Sequence, residues 1–312
     1  MIWDKAPHNA FTDLIRFRNA FYCIFREAPA HVSGPGGTVR IIRSEDGKHW
    51  ESIASLEIKG KDIRDPKLSV MPGKRLMVLM DVESYQNGRI VKRQPYVSYS
   101  DKQGRQFSAP LAAVVDPSVS SWSDWVWRVT WYKSTGFAVV YQPDGIYLLQ
   151  TKDGKYFKKV SGLEVDGSPN ESTIRFDKHG KMYVLIRREE GDRMGVLAVS
   201  EAPYQQWEYH KLGQRLGGPD FIFLDDTTLC IGSRLYPGPE NKKTTTAVFL
   251  SNLNGEIYKI LKLPGEGDTG YPGMLLYGGD LWVSYYSSGK SKTSIYLSRI
   301  PLAGLRTVMT EE

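Results

Sequence analysis

The sequence is poor in cysteine and has no long apolar run. Its 312 residues include two cysteines, and no stretch of about 18 consecutive apolar residues occurs, which argues against a disulfide scaffold and a membrane-spanning helix. Cys23 and Cys230 each lie in an apolar segment, where a free cysteine behaves as a small buried hydrophobe. The start, MIWDKAPHNA, lacks the basic and apolar regions of a signal peptide. This fits a cytoplasmic protein and also an exported one given in mature form, so the sequence assigns no localisation.

Basic residues are in slight excess but are not clustered. The chain has 41 Lys and Arg against 35 Asp and Glu, a formal charge of +6. Because these residues are dispersed, we expect neither a nucleic-acid partner nor membrane insertion, whereas an acidic small substrate suits the charge. The five histidines show no metal-ligand spacing, so we expect no metal and no cofactor. No pattern indicates an oligomeric state.

Aromatic residues, glycine and proline are abundant. Aromatic residues make up 12% of the chain, which also has 30 Gly and 17 Pro. Flat, bulky side chains suit pleated strands, and Gly and Pro suit the turns between them. We therefore predict an all-β protein, with residues 1–312 forming a single domain.

A short turn motif recurs five times. Each copy has Ser or Thr, then a turn, then an aromatic residue, and the copies are SEDGKHW from Ser44, SDKQGRQF from Ser100, TKDGKYF from Thr151, SEAPYQQW from Ser200 and SNLNGEIY from Ser251. Their starts are 56, 51, 49 and 51 residues apart. Four-stranded propeller blades recur about every 40 to 50 residues. We therefore interpret each copy as a hairpin turn within one blade.

Two predicted strands precede each turn, and a further set follows the last one. The six inner strands begin near Asn9, Asp62, Trp127, Asn170, Gly218 and Gly270. The last set has only three strands before the chain ends, so we expect the N-terminal segment MIWDKA to supply the missing outer strand. The prediction is a six-bladed β-propeller, with a five-bladed ring as the alternative.

Charged and aromatic residues are expected to meet on one face of this ring. Neighbouring strands of a blade are antiparallel, so the start of the first strand and the end of the second lie at the same face. The strand starts carry Asp13, Arg64, Asp65, Arg128, Glu171, Asp220 and Tyr271, and the second-strand ends carry Arg26, Asp81, Arg187, Arg234 and Tyr286. Several arginines in one cleft predict an anion site, because guanidinium groups bind carboxylates in bidentate fashion. The alternative is a set of ordinary ion pairs.

The five turns resemble the Asp boxes of sialidases (neuraminidases), whose pattern is Ser-x-Asp-x-Gly-x-x-Trp. This family of glycoside hydrolases has a six-bladed propeller. The resemblance implies that Tyr271 is the nucleophile and that Glu171 lies within hydrogen-bond distance and accepts its proton. It also implies that Arg187 and Arg234, with either Arg26 or Arg128, bind a substrate carboxylate. The expected activity is retaining hydrolysis of a terminal acidic sugar.

The acid and the sugar remain open in the sequence. The first-blade loop EAPAHVSGPGG has no Asp, so His31 and Asp65 are the candidate acids, with Glu27 as an alternative. Residues expected to contact the substrate further include Arg64, Asp13, Asp220 and Trp127. The tryptophans of SSWSDWVWRVTW, at positions 122, 125 and 127, suit either sugar stacking or the core.

The expected substrate is a sialic acid, another keto-acid sugar or a uronic acid. Two other functions fit the same pattern. One is a non-catalytic glycan-binding propeller, since the fold alone decides no function. The other is a carbohydrate lyase that uses Tyr271 and a histidine.

Overall fold

The structure is a computed structural model that describes residues 1–31, 34, 36–238, 243–289 and 291–306. These residues form 25 β-strands and one five-residue helix, in an all-β, propeller-like arrangement. The all-β, propeller-like part of the predicted fold is therefore confirmed. In this part of the chain, no helix is long and apolar enough to cross a membrane.

The strands follow one another in short hairpins along the chain. The first eight are β1 (His8–Phe17), β2 (Ala20–Ala28), β3 (Thr38–Ser44), β4 (Glu51–Leu56), β5 (Lys61–Val70), β6 (Leu76–Gln86), β7 (Arg89–Tyr99) and β8 (Leu111–Ala112). The next six are β9 (Val114–Val115), β10 (Trp125–Val126), β11 (Thr130–Tyr132), β12 (Thr135–Gln142), β13 (Gly145–Thr151) and β14 (Tyr156–Leu163). Then come β15 (Pro169–Phe176), β16 (Met182–Arg188), β17 (Met194–Ser200), β18 (Glu208–Arg215), β19 (Asp220–Phe223), β20 (Thr228–Leu235), β21 (Thr245–Asn252) and β22 (Ile257–Lys262). The last are β23 (Thr269–Tyr277), β24 (Asp280–Ser288), β25 (Thr293–Pro301) and the helix α1 (Leu302–Arg306).

Hydrogen bonding joins these strands into five sheets rather than six separate ones. Three sheets have four strands each, β5 to β8, β15 to β18 and β19 to β22, while β9 to β14 form a six-stranded sheet. The remaining seven strands form one sheet in the order β23-β24-β25-β1-β2-β3-β4. Its two halves meet at one parallel pair, His8 with Thr293.

The N-terminal segment pairs with β25, as expected. Trp3 and Ile295 form an antiparallel bridge, and the Ile2 N–H donates to the Ile295 carbonyl at 2.8 Å. The Trp3 indole N–H also donates to Glu27 Oε1 at 2.6 Å. The segment thus ties the last strand of the chain to the first sheet segment.

The repeated turns connect the outer strands and pack against the preceding part of the ring. In two of them the Gly47 and Gly154 N–H groups donate to Ser44 Oγ and Thr151 Oγ1, each at 2.8 Å. Both glycines have positive φ, and a Cβ on Gly47 would lie 2.5 Å from the Trp282 ring of β24. Glycine is therefore required there by both the turn and the close approach.

The innermost strands share a bulge near their start. The register shifts by one residue between Ala10 and Asp13 in β1, between Arg64 and Lys67 in β5, and between Gly270 and Gly273 in β23. The first bulged residue of each, Phe11, Asp65 and Tyr271, has a positive φ of 62°, 44° and 53°. A bulge redirects a side chain out of the regular ladder. Three strands thus present a non-glycine residue in the same strained conformation.

Candidate active site

Tyr271, Glu171 and Arg187 form a compact group contributed by three different strands. The Tyr271 hydroxyl donates to Glu171 Oε1 at 2.6 Å, the contact expected from the sequence. Arg187 Nη1 lies 2.6 Å from the same carboxylate oxygen and 3.4 Å from the Tyr271 hydroxyl. Tyr271 and Glu171 are buried, being 8% and 6% exposed. A phenol, a carboxylate and a guanidinium therefore share one enclosed contact.

The backbone around Gly218 makes room for this group. The Gly218 N–H donates to Glu171 Oε2 at 2.7 Å, so both oxygens of that carboxylate are hydrogen-bonded. A Cβ on Gly218, whose φ is 59°, would lie 2.4 Å from Tyr271 Cγ. The loop before β19 therefore requires glycine, and the Tyr271 ring lies against it.

The surroundings shift the pKa values of Tyr271 and Glu171 in opposite directions. Burial and the neighbouring Glu171 carboxylate raise the pKa of Tyr271 well above its usual value. Burial alone would raise the pKa of Glu171, but Arg187 and the hydrogen bonds that Glu171 accepts hold that pKa below its usual value. In the resting protein the proton is therefore on the tyrosine, and Glu171 is an ionised acceptor.

Arg234 lies on the other side of Tyr271. Its guanidinium carbon is 5.5 Å from the centre of the Tyr271 ring. Arg234 Nη2 donates to Asp268 Oδ1 and to the Tyr286 hydroxyl, both at 2.7 Å. Asp268 in turn contacts His31 Nδ1 through Oδ2 at 3.0 Å. His31 and Asp268 are 45% and 36% exposed in their side chains, so they form the open rim of the site.

Asp65 lies in the interior near Tyr271 and Glu171. It is 6% exposed, and its Oδ1 has no hydrogen-bond partner among the described residues. Burial raises the pKa of Asp65 to about 6. Glu171 acts in the same direction, while Arg64 and Lys67 oppose the rise. Asp65 thus stays protonated at a higher pH than an ordinary aspartic acid.

Phe11 and two histidines line the wall next to Tyr271. The Phe11 ring contacts those of Tyr271 and His31, with centroids 4.9 and 5.2 Å apart. His8 lies 5.3 Å from His31 between ring centres and is 7% exposed. One ligand atom each from His8, His31 and Asp268 lie within 4.8 Å of one another. Folding therefore brings together three side chains of metal-binding types that the spacing in the sequence did not reveal.

Arg26 does not lie open to the site, contrary to its predicted position. It is 0% exposed and makes a bidentate pair with Asp62, with distances of 2.8 and 3.0 Å from Nη2 to the two oxygens. Asp62 also contacts Arg64 Nη1 at 3.4 Å. Arg64 is 9% exposed and its guanidinium carbon lies 5.5 Å from the Phe11 ring centre. Arg64 is therefore closer to the wall of the site than Arg26.

Asp13, Arg128 and Asp220 lie in a separate buried network. Arg128 Nη1 contacts both Asp13 oxygens at 2.9 Å, and its Nη2 lies 3.4 Å from Asp220 Oδ2. Arg175 binds the other Asp220 oxygen at 2.6 Å. The exposures of Asp13, Arg128 and Asp220 are 1%, 5% and 1%. Their side chains pair with one another across strands, which corrects the expectation that they face the cleft.

Two of the three candidate stacking tryptophans belong to the core. Trp127 is 1% exposed, lies 5.9 Å from the Tyr271 ring and has the Lys67 ammonium 4.5 Å from its ring centre. Trp125 is 7% exposed and stacks on Tyr141. Neither can present a face to a sugar in this arrangement, so the expectation for Trp127 is corrected. Trp122, at 53% exposed, is the solvent-facing member.

Sequence reasoning missed Phe11, Asp62 and Asp268, although a spacing marks two of them. A polar residue stands three positions before each bulged residue: His8 before Phe11, Asp62 before Asp65 and Asp268 before Tyr271. Comparing the inner strands from their bulges would have revealed this. Phe11 carries no chemical signal, because a lone phenylalanine in a strand predicts packing.

Several solved structures share this fold. The chain superimposes on a protein of unknown function from Dyadobacter fermentans with a TM-score of 0.79 and 19% identity, covering 95% of this chain and 96% of that one. It superimposes on Trypanosoma rangeli sialidase in complex with sialic acid with a TM-score of 0.73 and 10% identity, covering 94% of this chain and 54% of the sialidase. For the NanB sialidase of Streptococcus pneumoniae the TM-score is 0.74, the identity is 9%, and coverage is 96% and 69%.

None of the protein-family models and none of the curated proteins matches the sequence. The chain spans about half of the trypanosomal sialidase, and all three identities are below 20%. Likeness at this level concerns the backbone and not the reaction. The chain therefore has a sialidase-like propeller fold.

Proposed function

We propose that the protein is a retaining exo-glycosidase that removes an acidic terminal sugar. The observation that carries this proposal is the 2.6 Å hydrogen bond from Tyr271 to Glu171, with Arg187 on the same carboxylate oxygen. A buried phenol bonded to an ionised carboxylate is a suitable nucleophile and proton acceptor. The sialidase-like fold supports the same reading, since two of the structures similar to this chain are sialidases.

The proposed reaction has two displacements. Tyr271 Oη bonds to the anomeric carbon and its proton passes to Glu171, while the glycosidic bond breaks and the leaving oxygen takes a proton from Asp65 or His31. Water then attacks the same carbon and gives a proton to the same Asp65 or His31, while the bond to Tyr271 Oη breaks and the tyrosine takes its proton back from Glu171, so the configuration is retained. Because the proton rests on Tyr271, its transfer must accompany the attack.

Arg187 and Arg234 are the proposed ligands of the substrate carboxylate. They flank Tyr271 and are 15% and 14% exposed in their side chains. Arg64 is the third candidate, since Arg26 and Arg128 are held in buried pairs. Each of these three arginines already contacts a carboxylate of the protein, so the substrate anion has to share or replace Glu171, Glu189, Asp268 or Asp62. A sialic acid, another keto-acid sugar and a uronic acid all meet this requirement.

We also propose that the ring counts six blades and that residues 1–312 form one domain. The seven-stranded sheet divides at its single His8 and Thr293 pair into β1 to β4 and β23 to β25, the latter completed by the Trp3 segment. With the other four sheets this gives six blades. Residues 307–312 of that domain lie outside the described part of the chain.

A panel of chromogenic acidic glycosides tests the function directly. Release of the chromophore by the native protein, and its loss in Tyr271→Phe, would support the glycosidase. Sugar binding without turnover on any member would favour the glycan-binding propeller. An unsaturated product that absorbs in the ultraviolet would favour the lyase, for which the nearby His31 supplies a second proton-transfer group.

A further inference from the structure

The rim of the site contains a buried histidine that has no hydrogen-bond partner. His8 is 7% exposed, and in the described part of the chain neither of its ring nitrogens finds a donor or acceptor. Leaving a buried polar group unsatisfied costs about 1–3 kcal/mol. The Tyr271 and Glu171 chemistry does not use this side chain. Its position therefore calls for a ligand.

Two further donors stand beside His8. His31 lies almost perpendicular to it, with an interplanar angle of 67°, and Asp268 contacts His31 Nδ1 at 3.0 Å. The three side chains come from the start of β1, the loop that follows β2 and the residue before β23. Their donor atoms lie within 4.8 Å of one another. Ligands about 2.1 Å from a tetrahedral metal are about 3.4 Å apart, so modest side-chain rotation would complete the geometry.

We propose that His8, His31 and Asp268 bind one divalent first-row transition-metal ion, such as Zn²⁺. Two imidazoles and one carboxylate are a donor set that these ions favour, and three protein ligands leave positions free for water or a sugar oxygen. This inference goes beyond the glycosidase and does not depend on it.

The surrounding charges define how the site would work. Asp268 is held by Arg234 and Tyr286, which orient it as outer partners orient metal ligands. Arg26 and Arg64 approach the His31 carbonyl at 3.5 and 3.4 Å, and both pair with Asp62.

With His31 bound to a metal, the proton donor of the glycosidase would be Asp65. A metal-bound imidazole has one nitrogen coordinated and cannot become the doubly protonated imidazolium that serves as an acid. The metal content of the active protein would then decide between His31 and Asp65 as the acid.

Zinc titration of tag-free, chelator-treated protein by calorimetry tests the site. We expect one Zn²⁺ per chain in the native protein and in Tyr271→Phe. Removing an outer-sphere partner of a metal typically weakens binding about 10- to 100-fold, so loss of a direct ligand in His31→Ala or Asp268→Asn should weaken it at least about 100-fold. Co²⁺ in place of Zn²⁺ should give visible bands that disappear in the same variants.

His49 supplies a matched control. It forms another exposed pair with a carboxylate, 2.7 Å from Asp46, but no third donor from the described residues joins it. His49→Ala should leave the zinc affinity unchanged. Zero stoichiometry, unchanged affinity in His31→Ala, or an equal loss in His49→Ala would overturn the proposal. If His8→Ala fails to fold by circular dichroism, the two rim variants decide the outcome.

Discussion

Replacing Tyr271 by phenylalanine removes one oxygen from the centre of the site and leaves the ring in place. The backbone tolerates this change, because Phe11 already adopts φ 62° at the matching bulge of β1, against 53° for Tyr271. The Tyr271 ring would keep its contacts with Gly218 and Phe11. The variant therefore tests the hydroxyl rather than the packing.

The cost in stability follows from the contacts of Glu171. A hydrogen bond to a charged group contributes about 1.5–3 kcal/mol. Glu171 keeps Arg187 at 2.6 Å and the Gly218 N–H at 2.7 Å, so we expect the lower end, about 1.5–2 kcal/mol less in the free energy of unfolding. Because the tyrosine is neutral at rest, the variant does not change the charge of the site.

The cost in activity is much larger. Deleting a nucleophile removes the bond-forming group, so kcat on an identified acidic glycoside should fall at least about 1,000-fold, or about 4 kcal/mol in the barrier. Steady-state kinetics and urea unfolding measure the two effects on the same protein samples.

Tyr285→Phe is the matched control for the loss of a buried tyrosine hydroxyl. Tyr285 is 2% exposed, and its hydroxyl donates to the Pro264 carbonyl at 2.7 Å, away from Glu171. It should lose about 1 kcal/mol of stability and no activity. Wild-type turnover in Tyr271→Phe would refute the nucleophile assignment and leave Tyr271 as a packing residue.

Three other changes test separate parts of the structure. Deleting residues 1–7 should lower the free energy of unfolding by about 3–5 kcal/mol, because Trp3 and several backbone hydrogen bonds to β25 are lost; unchanged urea unfolding would show that the segment does not close the ring. Arg234→Met should weaken binding of an acidic sugar by about 10- to 150-fold, measured by calorimetry, and should barely affect its methyl ester; equal binding of acid and ester by the native protein would remove the anion site. If Asp65 is the acid, kcat/KM should fall as pH rises through about 6, because burial keeps its carboxyl protonated up to that pH; an alkaline limb that persists in Asp65→Asn would assign it to another group.

The repeated turns could be predicted from the sequence because a tight turn depends on a few neighbouring residues. The Ser or Thr, Gly and aromatic residues at intervals of about 50 residues are sufficient to place the hairpins, since each turn satisfies its own backbone hydrogen bonds. The antiparallel order then brings Glu171 and Tyr271, 100 residues apart, to the same face. Topology predicts the shared face, whereas the contact itself was expected from the resemblance to sialidases.

The division of the arginines could not be predicted in the same way. Arg26, Arg187 and Arg234 stand near the ends of second strands and Arg128 follows the short strand β10, and nothing local distinguishes them. Their exposure depends on which carboxylate stands opposite, such as Asp62 for Arg26 and Asp13 for Arg128. These partners come from neighbouring sheet segments, and pairing across sheets depends on packing distances that the sequence does not encode locally. For the same reason, the sequence did not predict that Asp268 lies with His8 and His31.

The strained bulges explain why the chemistry is concentrated at one end of the inner strands. A left-handed conformation costs a non-glycine residue about 1–2 kcal/mol, yet Phe11, Asp65 and Tyr271 all adopt it where glycine would do so freely. Such strain persists only where the surrounding structure holds it, and it often marks functional positions. Here each bulge adds one residue to its strand and turns a side chain out of the regular ladder. The three strands place different side chains at that position, so a repeated backbone feature provides an apolar wall, a carboxyl group and a phenol at one site.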